Sequence, residues 1–314
     1  MRAYSLIAPA KINLYLEIIG DRPDGYHELA MILQSIALSD RVDLRANGTD
    51  QIRVRCDDPL VPSDASNLAY RAADLIAQQF PESYRKFGGV DIAIEKRIPM
   101  GAGLAGGSAN AAAVLVGLDL MWSLGLTQPE LQDLAAQLGS DIPFCIAGGT
   151  AIATGRGEQL APLPSPEHLH VVLAKYRSIA VSTPWAYKAY RQQFGHSYIS
   201  DPAEQKGRKQ QMRSGAMVGA IAQRDGKRIG QLLHNDLEKV VLPTHPKVAE
   251  LRQTLEKMNP LGVMMSGSGS TVFALVESSA QAEEIQQQLS AKIPDPDLGI
   301  WKTHLTASGV QVVQ

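Results

Sequence analysis

Residues 99–110, PMGAGLAGGSAN, set Gly101, Gly103, Gly106 and Gly107 among other small side chains at the start of a predicted helix. Missing side chains let a backbone approach phosphate oxygens closely. The free N–H groups of a first helical turn, with the helix dipole, favour negative charge there. A tight strand-to-helix turn needs the same small residues for packing, so the glycines alone leave both readings open. The stretch also spells GxGxxG from Gly101 to Gly106, a weak signal in isolation. A dinucleotide-binding unit needs a buried strand running into the first glycine and a second strand after the helix. Here Lys96, Arg97 and Pro99 precede the glycines, and another predicted helix follows. A Walker A loop would end in Gly-Lys-Ser/Thr, and a protein kinase would carry HRD and DFG; the chain has none of these. What remains is a glycine-rich loop entering a helix near Ser108, built either to hold phosphate or to pack a tight turn.

Other reactive residue types point nowhere so specific. The seven histidines show no HExxH or comparable ligand spacing, and His168 and His170, flanking Leu169 in a predicted strand, read as surface residues. Cys56 and Cys145 stand far apart without His or Cys neighbours, which suits a reducing compartment and argues against structural zinc. A formal charge of -2 makes no case for nucleic acid or an anionic membrane as partner. The N-terminal stretch is apolar in patches broken by Pro9 and Lys11, and no run reaches the roughly 20 apolar residues of a membrane span. The expectation is a cytoplasmic protein.

Elements must position any such loop. At 314 residues, 45% hydrophobic and 20% charged, the chain has the composition of a globular protein and the length of two domains. KINLYLEIIG, RVDLRA and VDIAIEKRI read as strands; SNLAYRAADLIAQQF, capped at Ser66 or Asn67, SANAAAVLVGLDLMWSLG and PELQDLAAQLG read as helices. A Gly148-Gly149 turn leads into the strand TAIATG. The proline-rich APLPSPEH marks a domain boundary near 165, giving domains over 1–165 and 166–314. Beyond it LHVVLAKY is a strand, 196–215 reads as a solvated mobile loop, LGVMMSGSGSTVFALVES as two strands around a Gly/Ser turn, and AQAEEIQQQLS as a helix. Without a steady βαβ alternation the fold class is α+β.

Several of these stretches together resemble one family. PMGAGLAGGSANAAA resembles the phosphate-binding motif of the GHMP kinases, and MSGSGSTVFAL, residues 265–275, resembles their third, supporting motif. APAKINLYLEIIGDRPDGYHEL, residues 8–29, is similar to the first motif of the 4-diphosphocytidyl-2-C-methyl-D-erythritol kinases within that superfamily. LGSDIPFCIAGGTAIATGRGE and HNDLE, residues 234–238, are similar to the same family, so the likeness runs nearly end to end. It implies a two-domain GHMP kinase fold with the active site in the interdomain cleft. The implied activity is ATP-dependent phosphorylation of the 2-hydroxyl of 4-diphosphocytidyl-2-C-methyl-D-erythritol, in the non-mevalonate route to isoprenoid precursors. Another GHMP small-alcohol kinase, or a nucleotide-binding relative without catalysis, is the alternative.

Residue by residue, the resemblance places the catalytic pair at Lys11 and Asp141. Asp141 would accept or orient the proton of the substrate hydroxyl, and Lys11 would stabilise charge on the attacking oxygen. On their own, Lys11 reads as a strand lysine and Asp141 as a helix cap before Pro143. The ATP phosphates fall to Pro99, Met100, Gly101, Ala102, Gly103, Leu104, Ala105, Gly106, Gly107, Ser108 and Ala109. Asn13, two residues past Lys11 on the same strand face, would touch the substrate. Tyr26 would stack on cytosine and His27 would hydrogen-bond its polar edge, with Thr183, Pro184 and Tyr187 closing the far side. Tyr187 stands where the family often has Phe, which keeps a stacking face. Asn67 falls near the adenine. ATP chemistry implies Mg2+, with no carboxylate cage visible in the sequence.

Overall fold

Two long strands, β1 (Ala3–Asp21) and β2 (His27–Ala46), form the spine of the computed structural model, which describes residues 3–313. They pair antiparallel from Ala3 opposite Arg45 to Asp21 opposite His27, so the 22–26 turn is carried at the tip of a stiff hairpin. Pro9, which has no N–H to donate, does not break β1; the register shifts between Pro9 and Ala10, and again between Asn13 and Tyr15. β3 (Ile52–Cys56) and β4 (Val90–Glu95) extend one edge, and β5 (Thr150–Gly155) and β6 (Gln159–Leu163) build outward from the other half of β2.

Helices α1 (Leu68–Gln79), α2 (Pro81–Phe87), α3 (Gly106–Trp122), α4 (Gln128–Leu138) and α5 (Ile142–Ala147) complete this half. Asn67 caps α1, its side chain accepting the Ala69 N–H at 2.9 Å. α3 is apolar on nearly every face and lies in the core against the sheet. It comes so near that a Cβ on Gly117 would stand 2.2 Å from Leu44 Cδ1.

The second half opens with β7 (His170–Tyr176), α6 (Thr183–Phe194) and a 3-10 turn at Gly195–Ser197. The 196–215 stretch, expected as a mobile loop, is mostly a helix, α7 (Pro202–Arg213). Asp201 caps it and Pro202 starts it, a local signal that its polarity masks. There follow α8 (Ala216–Ala222), α9 (Gly226–Gln231), β8 (His234–Asn235), α10 (Glu238–Thr244), α11 (Pro246–Glu256), β9 (Gly262–Met265), β10 (Val272–Val276), α12 (Ser279–Lys292), β11 (Leu298–His304) and β12 (Gln311–Val313).

The second sheet runs β11-β7-β10-β9, antiparallel throughout. Both its faces are buried. Val171, Leu173, Phe273 and Leu275 join the core of the first half, and Val172, Ala174, Val272 and Ala274 join a second core with α11 and α12. The chain then returns: β8 pairs parallel with β1 and β12 pairs antiparallel with its outer edge. Mixed helices and mainly antiparallel sheets, with parallel pairs only at β3–β4 and β1–β8, give the α+β class expected. Among the described residues no helix is long and apolar enough to cross a membrane.

Candidate active site

A cavity of about 950 Å³ opens between the two halves, lined by residues from both sides of residue 165. Lys11 and Asn13 lie on its floor. Both project from the same face of β1, and Lys11 Nζ donates to Asn13 Oδ1 at 2.8 Å. Lys11 is 4% exposed, so it is not an ordinary strand lysine. Its Nζ lies 3.6 Å from Asp141 Oδ2. Asp141 occupies the N-cap position of α5, as the sequence suggests, yet its side chain makes no capping hydrogen bond. Its carboxylate belongs to the cavity.

The glycine-rich loop forms one wall. Ala105 takes a left-handed conformation at φ 57° and ψ 29° as the N-cap of α3, which starts at Gly106, two residues before Ser108. No side chain caps this helix end, so the first-turn N–H groups face the cavity without a side-chain partner. The first intrahelical bond runs from the Ala109 N–H to the Ala105 carbonyl at 2.8 Å. Ala109, expected among the phosphate-binding residues, is fully buried in the core and does not line the cavity. Pro99 through Ser108 all line the cavity.

The loop is held on three sides. The Lys11 N–H donates to the Leu104 carbonyl at 3.1 Å, tying the loop to the strand that carries the lysine. The Gly/Ser turn between β9 and β10 presses on it from the second half. Ser266 Oγ donates to the Gly103 carbonyl at 3.0 Å and the Thr271 N–H to the Ala102 carbonyl at 3.4 Å. HNDLE braces that turn in its own place. Asn235 Nδ2 donates to the Met265 and Gly267 carbonyls at 2.8 Å each, and Glu238 Oε1 accepts the Met265 N–H at 2.8 Å.

The third hold went unread in the sequence. Asp40, 0% exposed at the kink of β2, accepts the Arg97 and Ile98 N–H groups at 2.7 and 2.8 Å, Asn110 Nδ2 at 2.8 Å, and Lys96 Nζ. One buried carboxylate thus joins the run into the loop to the second turn of α3. Its partners lie 56 to 70 residues away, and no local pattern marks such a residue.

Tyr26, His27, Thr183, Pro184 and Tyr187 all line the same cavity. His27 and Tyr187 bring their rings to 5.1 Å between centroids, at 33°. His27 Nε2 is buried without a hydrogen-bond partner, 3.8 Å from Asp21 Oδ1. Burial first, then the Arg191 guanidinium, holds His27 below its ordinary value against the pull of Asp21, so the ring is neutral near pH 7. Burial, then Asp141 and Tyr198, push the Tyr187 hydroxyl above its ordinary value, so it keeps its proton. Tyr26 is 53% exposed, and the Arg156 guanidinium sits 4.9 Å from its ring centroid. Thr183 Oγ1 and Ser268 Oγ are 2.8 Å apart, linking α6 to the Gly/Ser turn. Arg191 donates to Asp21 Oδ1 at 2.7 Å and to the Gly25 carbonyl at 3.1 Å, so α6 also grips the hairpin tip.

Asn67 and Lys96 lie on the loop side of the cavity, and Lys188 and Arg191 on the side of Tyr187. Five cations, Lys11, Lys96, Arg156, Lys188 and Arg191, thus face one lining carboxylate, Asp141. Such a balance suits ligands carrying several phosphates. Of these cations, Arg156 lies in the TGRGE stretch that the family resemblance covers.

Comparison with known proteins agrees along the whole chain. The family described as GHMP kinases N terminal domain matches residues 67–149, and GHMP kinases C terminal matches 217–295. A 4-diphosphocytidyl-2-C-methyl-D-erythritol kinase of Gloeothece citriformis is 65% identical over 312 residues, 99% of each chain. One of Synechocystis is 58% identical over 313 residues, covering 100% of this chain and 99% of its own. Among solved structures, a 4-(cytidine 5'-diphospho)-2C-methyl-D-erythritol kinase superposes with a TM-score of 0.73 at 33% identity, over 96% of this chain and 98% of that one. A homoserine kinase of Cytophaga hutchinsonii superposes at 0.76 with 19% identity, over 100% of this chain and 98% of its own, which speaks to the fold alone. With the glycine loop, the lysine–aspartate floor and these relatives in agreement, the chain belongs to the 4-diphosphocytidyl-2-C-methyl-D-erythritol kinase family of GHMP kinases.

Proposed function

We infer that the chain is an ATP-dependent kinase that transfers the γ-phosphoryl group of ATP to the 2-hydroxyl of 4-diphosphocytidyl-2-C-methyl-D-erythritol, in the non-mevalonate (methylerythritol phosphate) pathway. The reading rests on Lys11 and Asp141, 3.6 Å apart on a floor between an uncapped helix N-terminus and an aromatic end wall. Phosphoryl transfer needs alignment and charge stabilisation more than covalent chemistry. Asp141 takes or orients the hydroxyl proton, Lys11 stabilises charge on the attacking oxygen, and Asn13 holds Lys11 and touches the substrate. The N–H groups from Gly106 to Ser108 cradle the ATP phosphates, with adenine towards Asn67 and Lys96.

Cytosine occupies the end wall, where His27 Nε2 offers an unfilled polar position and Tyr26 and Tyr187 offer ring faces. No group of three His, Cys, Asp or Glu side chains among the described residues could hold a metal. The donor set fits Mg2+ arriving with ATP, where it would neutralise phosphate charge, with Ser108 and Asp141 as the cavity-lining oxygens on hand. Domains divided near residue 165 and a cytoplasmic site of action belong to the same proposal.

The test is ATP consumption with 4-diphosphocytidyl-2-C-methyl-D-erythritol beside mevalonate, homoserine and galactose. Turnover with the cytidine substrate alone is expected. Comparable turnover with one of the other alcohols would overturn the assignment.

A further inference from the structure

The polar helix α7 has no fully buried side chain; Met212 packs against the core, and the rest of its hold is polar. Gln205 Nε2 donates to the Ile199 carbonyl at 2.6 Å, Arg208 Nε to Glu17 Oε1 at 2.8 Å, and Lys209 Nζ to Glu28 Oε1 at 2.8 Å. The last tether reaches the residue that adjoins Tyr26 and His27. Glu28 follows Tyr26 and His27 directly and is 5% exposed. Its Oε1 also accepts the Gly155 N–H at 3.2 Å, and its Oε2 accepts Arg22 Nη1 at 2.9 Å.

From Glu28 two chains of contacts converge on Tyr26. Through Arg22, whose Nη2 donates to Asp24 Oδ2 at 3.0 Å, the network reaches the Tyr26 N–H, which donates to Asp24 Oδ1 at 3.1 Å. Through Gly155 it fixes the turn that holds the Arg156 guanidinium over the Tyr26 ring. A buried carboxylate short of partners is costly and moves to find others. Lys209, arriving from the other half of the molecule, therefore helps decide where Glu28 and the wall around it settle.

We propose that Glu28 and Lys209 are positioning residues for the cytidine end of the site, with α7 the strap that delivers Lys209. This rests on Tyr26 forming part of the cytidine wall. The test uses the full chain and varies each substrate in turn for Lys209→Ala, Lys209→Gln, Lys209→Arg, Glu28→Gln, Tyr26→Ala and the double variant Lys209→Ala/Tyr26→Ala. Lys209→Ala, Lys209→Gln and Glu28→Gln should each raise KM for the cytidine substrate about five- to tenfold, between the losses typical of exposed and of buried pairs. The KM for ATP and kcat should stay within about twofold of wild type, Lys209→Arg should restore KM, and Lys209→Ala should add little once Tyr26 is gone.

An unchanged cytidine KM in Lys209→Ala and Glu28→Gln, beside a raised one in Tyr26→Ala, overturns the proposal and spares the cytidine wall. Equal rises for both substrates with a lowered Tm show a structural tether only and also overturn it. An unchanged KM in Tyr26→Ala removes the wall itself, and the proposal with it.

Discussion

Asp141 turns its carboxylate away from the helix it begins and towards Lys11, 3.6 Å off. Asp141→Asn keeps that shape and removes charge and basicity. Positioned proton acceptors contribute roughly 10²–10⁴-fold, so kcat should fall by about that factor while both substrates still bind. Lys11→Met removes the cation 3.6 Å from Asp141, proposed to stabilise the attacking oxygen, and should do similar harm. It also strips Asn13 Oδ1 of its 2.8 Å donor, so some loss of substrate affinity accompanies it. Since the two residues act as a unit, the double variant should be little worse than either single one. Single-turnover phosphoryl transfer with separate binding measurements checks this. A near wild-type rate in Asp141→Asn would leave the phosphate loop as the main source of catalysis.

The loop and its supports make a second kind of expectation. Gly103 has φ of +71°, and a Cβ there would meet the Ser266 carbonyl oxygen at 2.1 Å. Gly103→Val should thus drive the loop off its supporting turn, lowering Tm together with ATP affinity. Gly107 is the cleaner probe. A Cβ there meets nothing nearer than Leu68 Cδ1 at 3.7 Å, yet the residue lines the cavity at the head of α3. Gly107→Val should fold normally and raise KM for ATP about tenfold to a hundredfold, the scale set by displacing a bound group by about an ångström. Unchanged ATP affinity in Gly107→Val, with Tm near wild type, would move the phosphates elsewhere. α7 adds a contrasting lesson. Its capping Asp201 and first-turn Pro202 were present to be read, but a helix without an apolar stripe gives no periodic signal. Its tethers to Glu17 and Glu28 span 191 and 181 residues.

Across the molecule, the wall of His27, Tyr26 and Tyr187 couples stability to pH. Burial and Arg191 hold His27 below its ordinary 6.5 in the folded protein, so on acidification the unfolded chain takes up the proton first. The stability this contributes is full above about pH 6.5 and is lost as the pH falls through the lowered folded value. His170, lowered by burial and by His304, acts in the same direction. Urea midpoints from pH 8 to 5 should fall for the wild type and fall less for His27→Asn, which has nothing to titrate there. Identical profiles would show that His27 is not held neutral by the fold.

Much of the outcome was already legible along the chain. Gly101 and Gly103 before an apolar helix that opens with Gly106 and Gly107 point to a close-backbone turn, and the strand spacing of Lys11 and Asn13 puts them on one face. Both are local consequences of backbone geometry, which is why they were readable and hold in the fold. Whether Lys11 was a surface lysine or a buried partner of Asp141 was not local, because 130 residues separate them and only the packing of α5 against β1 closes the distance. The same holds for Asp40 beneath the phosphate loop and for Glu28 beneath Tyr26. A buried carboxylate is defined by donors that other segments bring to it, and those donors exist as a set only once the sheets have paired and the two halves have met.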